Sequence, residues 1–187
     1  TKFSTLPAER RRLLRMTCQQ LEEAPASLNS QVRTIVVSGS VGVGKSHFSM
    51  HLARTIEDRF KGDQSFQKFH LRLKANTEFP MTSLEAKQHI IKMWHVGALP
   101  VRDQKEIDTL YNKTFFGKTS VLLLEDLSSL KQLMELIPNV RQSVRSSVYI
   151  IVETRSSSLT QSQTNLDKIL KYTTGQVDFL DVNGFVN

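Results

Sequence analysis

A chain of 187 residues, 39% of them hydrophobic, suits one globular domain with its own core, and its lone cysteine excludes an intrachain disulfide. No apolar run approaches the roughly 18 residues that a membrane-spanning helix needs, and the start carries no secretory apolar region, so an intracellular, cytoplasmic setting is expected. The net charge of +7 is a moderate basic excess, concentrated early in Arg10, Arg11, Arg12 and Arg15. A solvated helix face is the favoured reading of that cluster, since no aromatic interleaving accompanies it; a nucleic-acid surface is the alternative.

Residues 7–23 read as a helix, with Pro7 suited to a first turn and Leu13, Leu14, Cys18 and Leu21 recurring at helical spacing among charges. Cys18 falls on the apolar side and is expected to be a buried thiol. A loop over 24–31 follows, with Pro25, Ser27, Asn29 and Ser30, so residues 1–33 form an N-terminal helix and linker and 34–187 the core. The absence of an initial Met and the abrupt end at Val186-Asn187 suggest one structural domain of a longer multidomain chain.

The first strand, 34–38, runs straight into Gly39-Ser40-Val41-Gly42-Val43-Gly44-Lys45-Ser46, followed by a helical pattern through Phe48, Met50, Leu52 and Ile56. Glycines in that spacing let successive backbone N–H groups turn into one concavity sized for a phosphate. Lys45 then faces the outer phosphates, Ser46 offers a hard oxygen to Mg²⁺, and the helix start at His47 adds its partial positive charge. A strand, this loop and a helix in that order predict a P-loop that binds ATP or ADP with Mg²⁺.

After a break at Lys61-Gly62-Asp63, residues 66–74 alternate as a second strand, with Phe69, Leu71 and Leu73 on one side. A loop carrying Pro80 leads to a helix from Ser83, read from Leu84, Ile90, Ile91 and Trp94 and ended near Gly97 and Pro100. Met93 and Trp94 are expected in the core. The next helix spans 103–116, with Ile107, Leu110 and Tyr111 inward and Gly117 as its cap. Val121-Leu122-Leu123-Leu124 is an uninterrupted apolar run, the pattern of a strand buried on both faces in a parallel sheet. It ends in Glu125-Asp126. A short helix over 128–136 and a strand over 147–152 ending in Glu153-Thr154-Arg155 follow. Residues 156–165 read as a loop or a weak helix start, 166–172 as a helix and 177–182 as a last strand.

Strands alternating with helices predict an α/β fold, a three-layer, doubly wound, mainly parallel five-stranded sheet with its chemistry at the carboxyl ends of the strands. An apolar strand ending in acids, downstream of a P-loop, is the expected place for Mg²⁺ and for the attacking water. Ser46, Glu125 and Asp126 are therefore the candidate metal ligands, and Lys45, Glu125, Asp126 and Arg155 the candidate catalytic groups. A capping acid for the following helix is the plainer alternative for Glu125 and Asp126, and a solvated strand end for Thr154-Arg155. Arg155 offers the bidentate donors that a terminal phosphate accepts. His47 and His51 have the spacing of a helical metal pair but no third ligand, and no metal is expected there.

These three segments together resemble the STAND class of P-loop NTPases, particularly NB-ARC and NACHT nucleotide-binding domains, over roughly residues 34–182. The resemblance rests on the P-loop, on Val121-Leu122-Leu123-Leu124-Glu125-Asp126-Leu127, and on Tyr149-Ile150-Ile151-Val152-Glu153-Thr154-Arg155, which looks like that family's sensor strand ending in Thr-Thr-Arg. It implies ADP in a closed state and exchange for ATP to open and assemble as a homo-oligomer, with further domains of the same chain closing over the nucleotide. Glu125 stands where the family usually has Asp, and Glu153 replaces the first Thr, so binding is expected and hydrolysis is expected to be weak. An AAA-type loader or motor on nucleic acid is the alternative, drawn from the basic N-terminal helix.

Overall fold

The structure, a computed structural model, describes residues 8, 11, 12, 15–17, 19, 31–75, 77–94, 103–141, 143, 145–155 and 177–182. Among the described residues five strands form one sheet: β1 (Gln31–Ser38), β2 (Gln67–Arg72), β3 (Thr119–Glu125), β4 (Ser147–Thr154) and β5 (Val177–Asp181). Their order is β2-β3-β4-β1-β5, and every neighbouring pair is parallel. The helices are α1 (Lys45–Arg59), α2 (Ser83–Trp94), α3 (Gln104–Thr114) and α4 (Leu130–Leu136).

Alternation along the strands divides the core into two layers. Leu122, Leu124, Ile150 and Val152 face α2, α3 and α4 through Ala86, Ile90, Ile107, Tyr111 and Leu133. Val121, Leu123, Tyr149 and Ile151, with Ile35 and Val37, face α1 through Phe48, Leu52, Ala53 and Ile56. Both faces are covered, which is why the central strands read as continuous apolar runs. The expectation of an α/β, three-layer, five-stranded fold holds, and the sheet is parallel throughout.

Element ends shift modestly. β1 begins at Gln31, three residues before the expected start at 34, because Gln31 pairs with Ser147 and its N–H reaches the Ser146 carbonyl at 2.7 Å. β4 runs on through Glu153 and Thr154, which pair with Val37 and Ser38. Among 1–30, the described residues Ala8, Arg11, Arg12, Arg15, Met16, Thr17 and Gln19 are helical. Cys18, the loop at 156–165, the helix at 166–172 and the end of the helix near Gly97 and Pro100 lie outside the described residues.

Two expectations fail. Gly117 does not cap α3: the cap is Phe115, and the Gly117 N–H donates to the Ser143 and Ser146 hydroxyls. Met93 and Trp94 are not core residues: they are 50% and 43% exposed, and Leu84 is exposed as well. The buried face of α2 is Ala86, Lys87, Ile90 and Ile91, so a lysine takes a place that apolar counting assigns elsewhere. Lys87 fits because its stem packs inward while its Nζ meets Asp108 Oδ1 of α3 at 2.7 Å, above the Tyr111 ring. Trp94, at the last position of the helix, instead lies under the Lys118 ammonium, 3.7 Å from its ring centroid.

Candidate nucleotide-binding site

The loop between β1 and α1 is shaped by its backbone. Gly42 and Gly44 lie at φ +78° and +90°, where side-chain-bearing residues are strained. A Cβ on Gly42 would meet no atom within 4 Å, so the angle, not space, requires glycine there. Gly44 caps α1 without any side-chain hydrogen bond, and the first turn holds no acid. The helix start therefore presents its N–H groups and partial positive charge to whatever occupies the loop.

Lys45, the first residue of α1, folds back over the loop: its Nζ donates to the carbonyls of Gly39 at 2.8 Å and Ser40 at 2.7 Å. Burial lowers its pKa and the Arg155 charge lowers it further, while Glu153 and Asp126 pull it back up. Ser46 donates to Glu153 Oε2 at 2.7 Å. His47 is exposed at the rim and stacks edge-on against His51, with their Nε2 atoms 3.2 Å apart.

The carboxyl ends of β2, β3 and β4 bring the remaining groups. Glu125 shares the α1 side of β3 with Val121 and Leu123, and its two oxygens are both occupied, Oε1 by His70 Nε2 at 2.8 Å and Oε2 by Arg72 Nε at 2.9 Å. Asp126 turns out of the strand in the left-handed region, φ +59°, and its Oδ1 meets Arg155 Nε at 3.2 Å. The backbone holds that turn: Leu73 N–H donates to the Glu125 carbonyl, Ala75 N–H to that of Asp126 and Leu127 N–H to that of Glu153. Neither acid caps α4, whose first turn is closed by the Ser129 hydroxyl accepting from Gln132 N–H.

Gly42, Gly44, Lys45, Ser46, Glu125, Asp126 and Arg155 thus line one cleft of about 360 Å³, together with Val41, His47, Arg72, Glu153 and Thr154. Gly39 and Ser40 join it through the carbonyls that hold Lys45, and Val43 points the other way, into the α1 layer. Lys45, Arg72 and Arg155 face Glu125, Asp126 and Glu153, so cations and carboxylates balance before any ligand enters. Such a site does not suit a bare polyanion. It suits a polyphosphate accompanied by a divalent cation, which offsets the acids while the lysine, the arginine and the helix start meet the phosphates. The Ser46 hydroxyl and the adjoining carboxylates are hard oxygen donors of the kind Mg²⁺ takes, so the residues present fit that ion.

Three residues of this site escape sequence reasoning. His70 and Arg72 sit on an edge strand among alternating apolar residues, and only the period-two parity that sends Phe69 and Leu71 inward marks them as facing the P-loop side together. Glu153 reads as a departure from a sensor pattern. In the structure it is 3% exposed and on the same side of β4 as Tyr149 and Ile151.

No family model matches the chain, and no curated protein matches it in sequence. Solved structures do. The Aeropyrum pernix ORC2 protein in ADPNP–ADP complexes aligns with a TM-score of 0.61 at 14% identity, covering 95% of this chain and 48% of that one. The Aeropyrum pernix ORC1 protein in complex with DNA aligns at 0.56 and 13% identity, over 92% and 44% of the two chains. Drosophila ORC bound to DNA gives 0.54 and 20%, over 84% and 41%. The chain spans about half the length of the structures it matches. At these identities the likeness is one of fold, and the fold of this chain is that of the P-loop ATPases.

Proposed function

We propose that this domain binds ATP or ADP with Mg²⁺ and uses the difference between them as a switch, within a larger STAND-type protein that assembles in the ATP state. The observation that carries the reading is the convergence of Lys45, Ser46 and Arg155 on one cleft, each resting on a partner that a nucleotide can replace. Lys45 leaves the loop carbonyls for the outer phosphates, and Ser46 offers its hydroxyl oxygen to the cation. Strand-end acids complete the cation site, with Glu125 and Asp126 the two that the sequence nominates. Arg155 exchanges the Asp126 carboxylate for the terminal phosphate. Mg²⁺, when bound, neutralises phosphate charge beside the acids.

A switch needs a group whose contacts differ between the two nucleotides, and only ATP has a terminal phosphate for Arg155 to reach. Arg155→Ala is expected to weaken ATP roughly tenfold or more, the scale of a charge-assisted hydrogen bond of about 1.5–3 kcal/mol, and ADP far less. Equal losses in calorimetric titrations would reject the sensor role. Mass analysis of nucleotide retained on native purification, then sizing with ADP and with ATP, tests the nucleotide and the assembly separately. With both oxygens of Glu125 occupied, turnover of ATP is expected to be slow.

A second reading, an AAA-type loader or motor on nucleic acid, is supported by the exposed Arg12 and Arg15 beside Arg11 and by the DNA-bound ORC structures of the same fold. DNA or RNA binding that falls steeply with salt, and is lost on replacing Arg10, Arg11, Arg12 and Arg15, would favour it. Undetectable binding at low salt would dismiss it.

A further inference from the structure

From the placement of its carboxylate we infer that Glu153, together with Ser46, forms the protein's side of the divalent-cation site, while Glu125 is a positioning acid tied to β2. The inference rests on the nucleotide reading above and names the ligand within it that the sequence pattern passes over.

The geometry separates the three acids of the cleft. Ser46 Oγ, the hydroxyl that the P-loop places next to bound phosphate, is 2.7 Å from Glu153 Oε2. A cation held by that hydroxyl therefore has Glu153 as its adjoining carboxylate, at direct or one-water range. Glu125 is committed elsewhere, with one oxygen on His70 and the other on Arg72. Asp126 meets Arg155 through Oδ1 and is released only when Arg155 turns to a terminal phosphate. Glu153 holds a buried oxygen without a partner: Oε1 accepts no hydrogen bond. The Ser49 hydroxyl lies near enough to favour the charged form without satisfying it, and is itself unpartnered.

A carboxylate 3% exposed with one oxygen unsatisfied is costly unless something compensates it. Burial raises its pKa, the Ser46 hydroxyl draws it down, and the neighbouring Glu125 charge raises it again. No side-chain ammonium or guanidinium pairs directly with Glu153 among the described residues; Lys45, whose charge lowers its pKa, spends its hydrogen bonds on Gly39 and Ser40. A divalent cation beside Ser46 supplies the missing charge and gives the idle oxygen a partner.

The inference has a further consequence for Glu125. Arg72 is paired with Glu125 in register across β2 and β3, so this acid tethers the edge strand to the rim of the cleft. Its loss is expected to loosen β2 and to leave the cation largely in place.

The test uses the whole chain, Mn²⁺ as the metal probe and ATP as the nucleotide. Mn²⁺ affinity of the ATP complex, read by electron paramagnetic resonance, is compared for wild type, Glu153→Gln and Glu125→Gln, alongside ADP affinity measured without metal. Gln keeps an acceptor for Ser46 and removes the charge. Glu153→Gln is expected to lower Mn²⁺ affinity by roughly tenfold or more while metal-free ADP affinity rises, because one opposing carboxylate is gone, and Glu125→Gln to lower Mn²⁺ affinity by less than about threefold. The reverse pattern would overturn the inference. In case Glu153→Gln fails to fold, the wild type provides its own measurement: Fe²⁺ in place of Mg²⁺, with ascorbate and peroxide, should cleave the backbone near residues 46 and 153. Cleavage confined to the neighbourhood of 125 would equally overturn it. A wild type that binds neither nucleotide would defeat the nucleotide reading itself, which is a different result from a displaced metal.

Discussion

At the residue scale, Asp126 combines two demands that few side chains meet. It adopts φ +59°, which Asp and Asn tolerate far better than branched residues, and it places a carboxylate oxygen against Arg155. Because Arg155 is half exposed, solvent screens the ion pair and its contribution to stability is small. The backbone angle is the larger matter. Asp126→Asn is therefore expected to unfold in denaturant close to wild type, and Asp126→Val about 1–2 kcal/mol earlier than Asp126→Asn. Equal midpoints for the two variants would show that the turn does not constrain the residue. Tyr111 makes a comparable point in the opposite layer. Its hydroxyl, fully buried, donates to the Leu136 carbonyl at 2.6 Å, and burial pushes its pKa far above the ordinary phenol range, so it stays neutral and serves as a donor. Tyr111→Phe strands that carbonyl at the end of α4 and is expected to cost about 1–3 kcal/mol in chemical unfolding.

At the element scale, α2 and α3 are joined by a lysine. Removing Asp108 leaves the Lys87 ammonium without its acid on a buried helix face, whereas replacing the lysine by an apolar side chain of similar length does not. Asp108→Ala is expected to destabilise by about 1–3 kcal/mol and Lys87→Met by clearly less; the reverse order in paired unfolding curves would contradict that account. The same helix shows where reading a sequence reaches its limit. Val121–Leu124 and Tyr149–Val152 announce buried parallel strands because both of their faces are covered, and Gly42 to Ser46 announces its loop because the spacing has a physical job. Helix α2 announces itself as a helix through Ile90 and Ile91, yet its inward face is fixed by a charged partner on α3, which no periodicity within α2 contains. Glu153 is obscured for the same kind of reason. Its role follows from which strand lies beside β1, and the insertion of β4 between β1 and β3 is a property of the sheet order rather than of any local pattern.

For the molecule as a whole, the balanced charges of the cleft and the overall excess of +7 act at different ranges. Long-range attraction can gather polyanions from solution, but retention of a nucleotide depends on the local balance, which needs a divalent ion. ATP with Mg²⁺ at about 100 times its dissociation constant is expected to add about 2.7 kcal/mol, a rise in melting temperature of roughly 5–11 °C for a domain of this size. ATP with excess chelator should give much less. A shift independent of Mg²⁺ would mean that the acids do not oppose the phosphates.

The strand order also sets when the site can come into being. β1, which carries the loop, is flanked by β4 and β5, and its first residue, Gln31, waits for Ser147, 116 positions later (147 − 31), before it gains a neighbour. Contacts that distant form late, because the intervening chain must be confined before they repay its entropy. A nascent chain halted after β3 should therefore capture no nucleotide, and in refolding from denaturant, fluorescent ADP should be taken up in the slowest phase, together with the final gain of sheet.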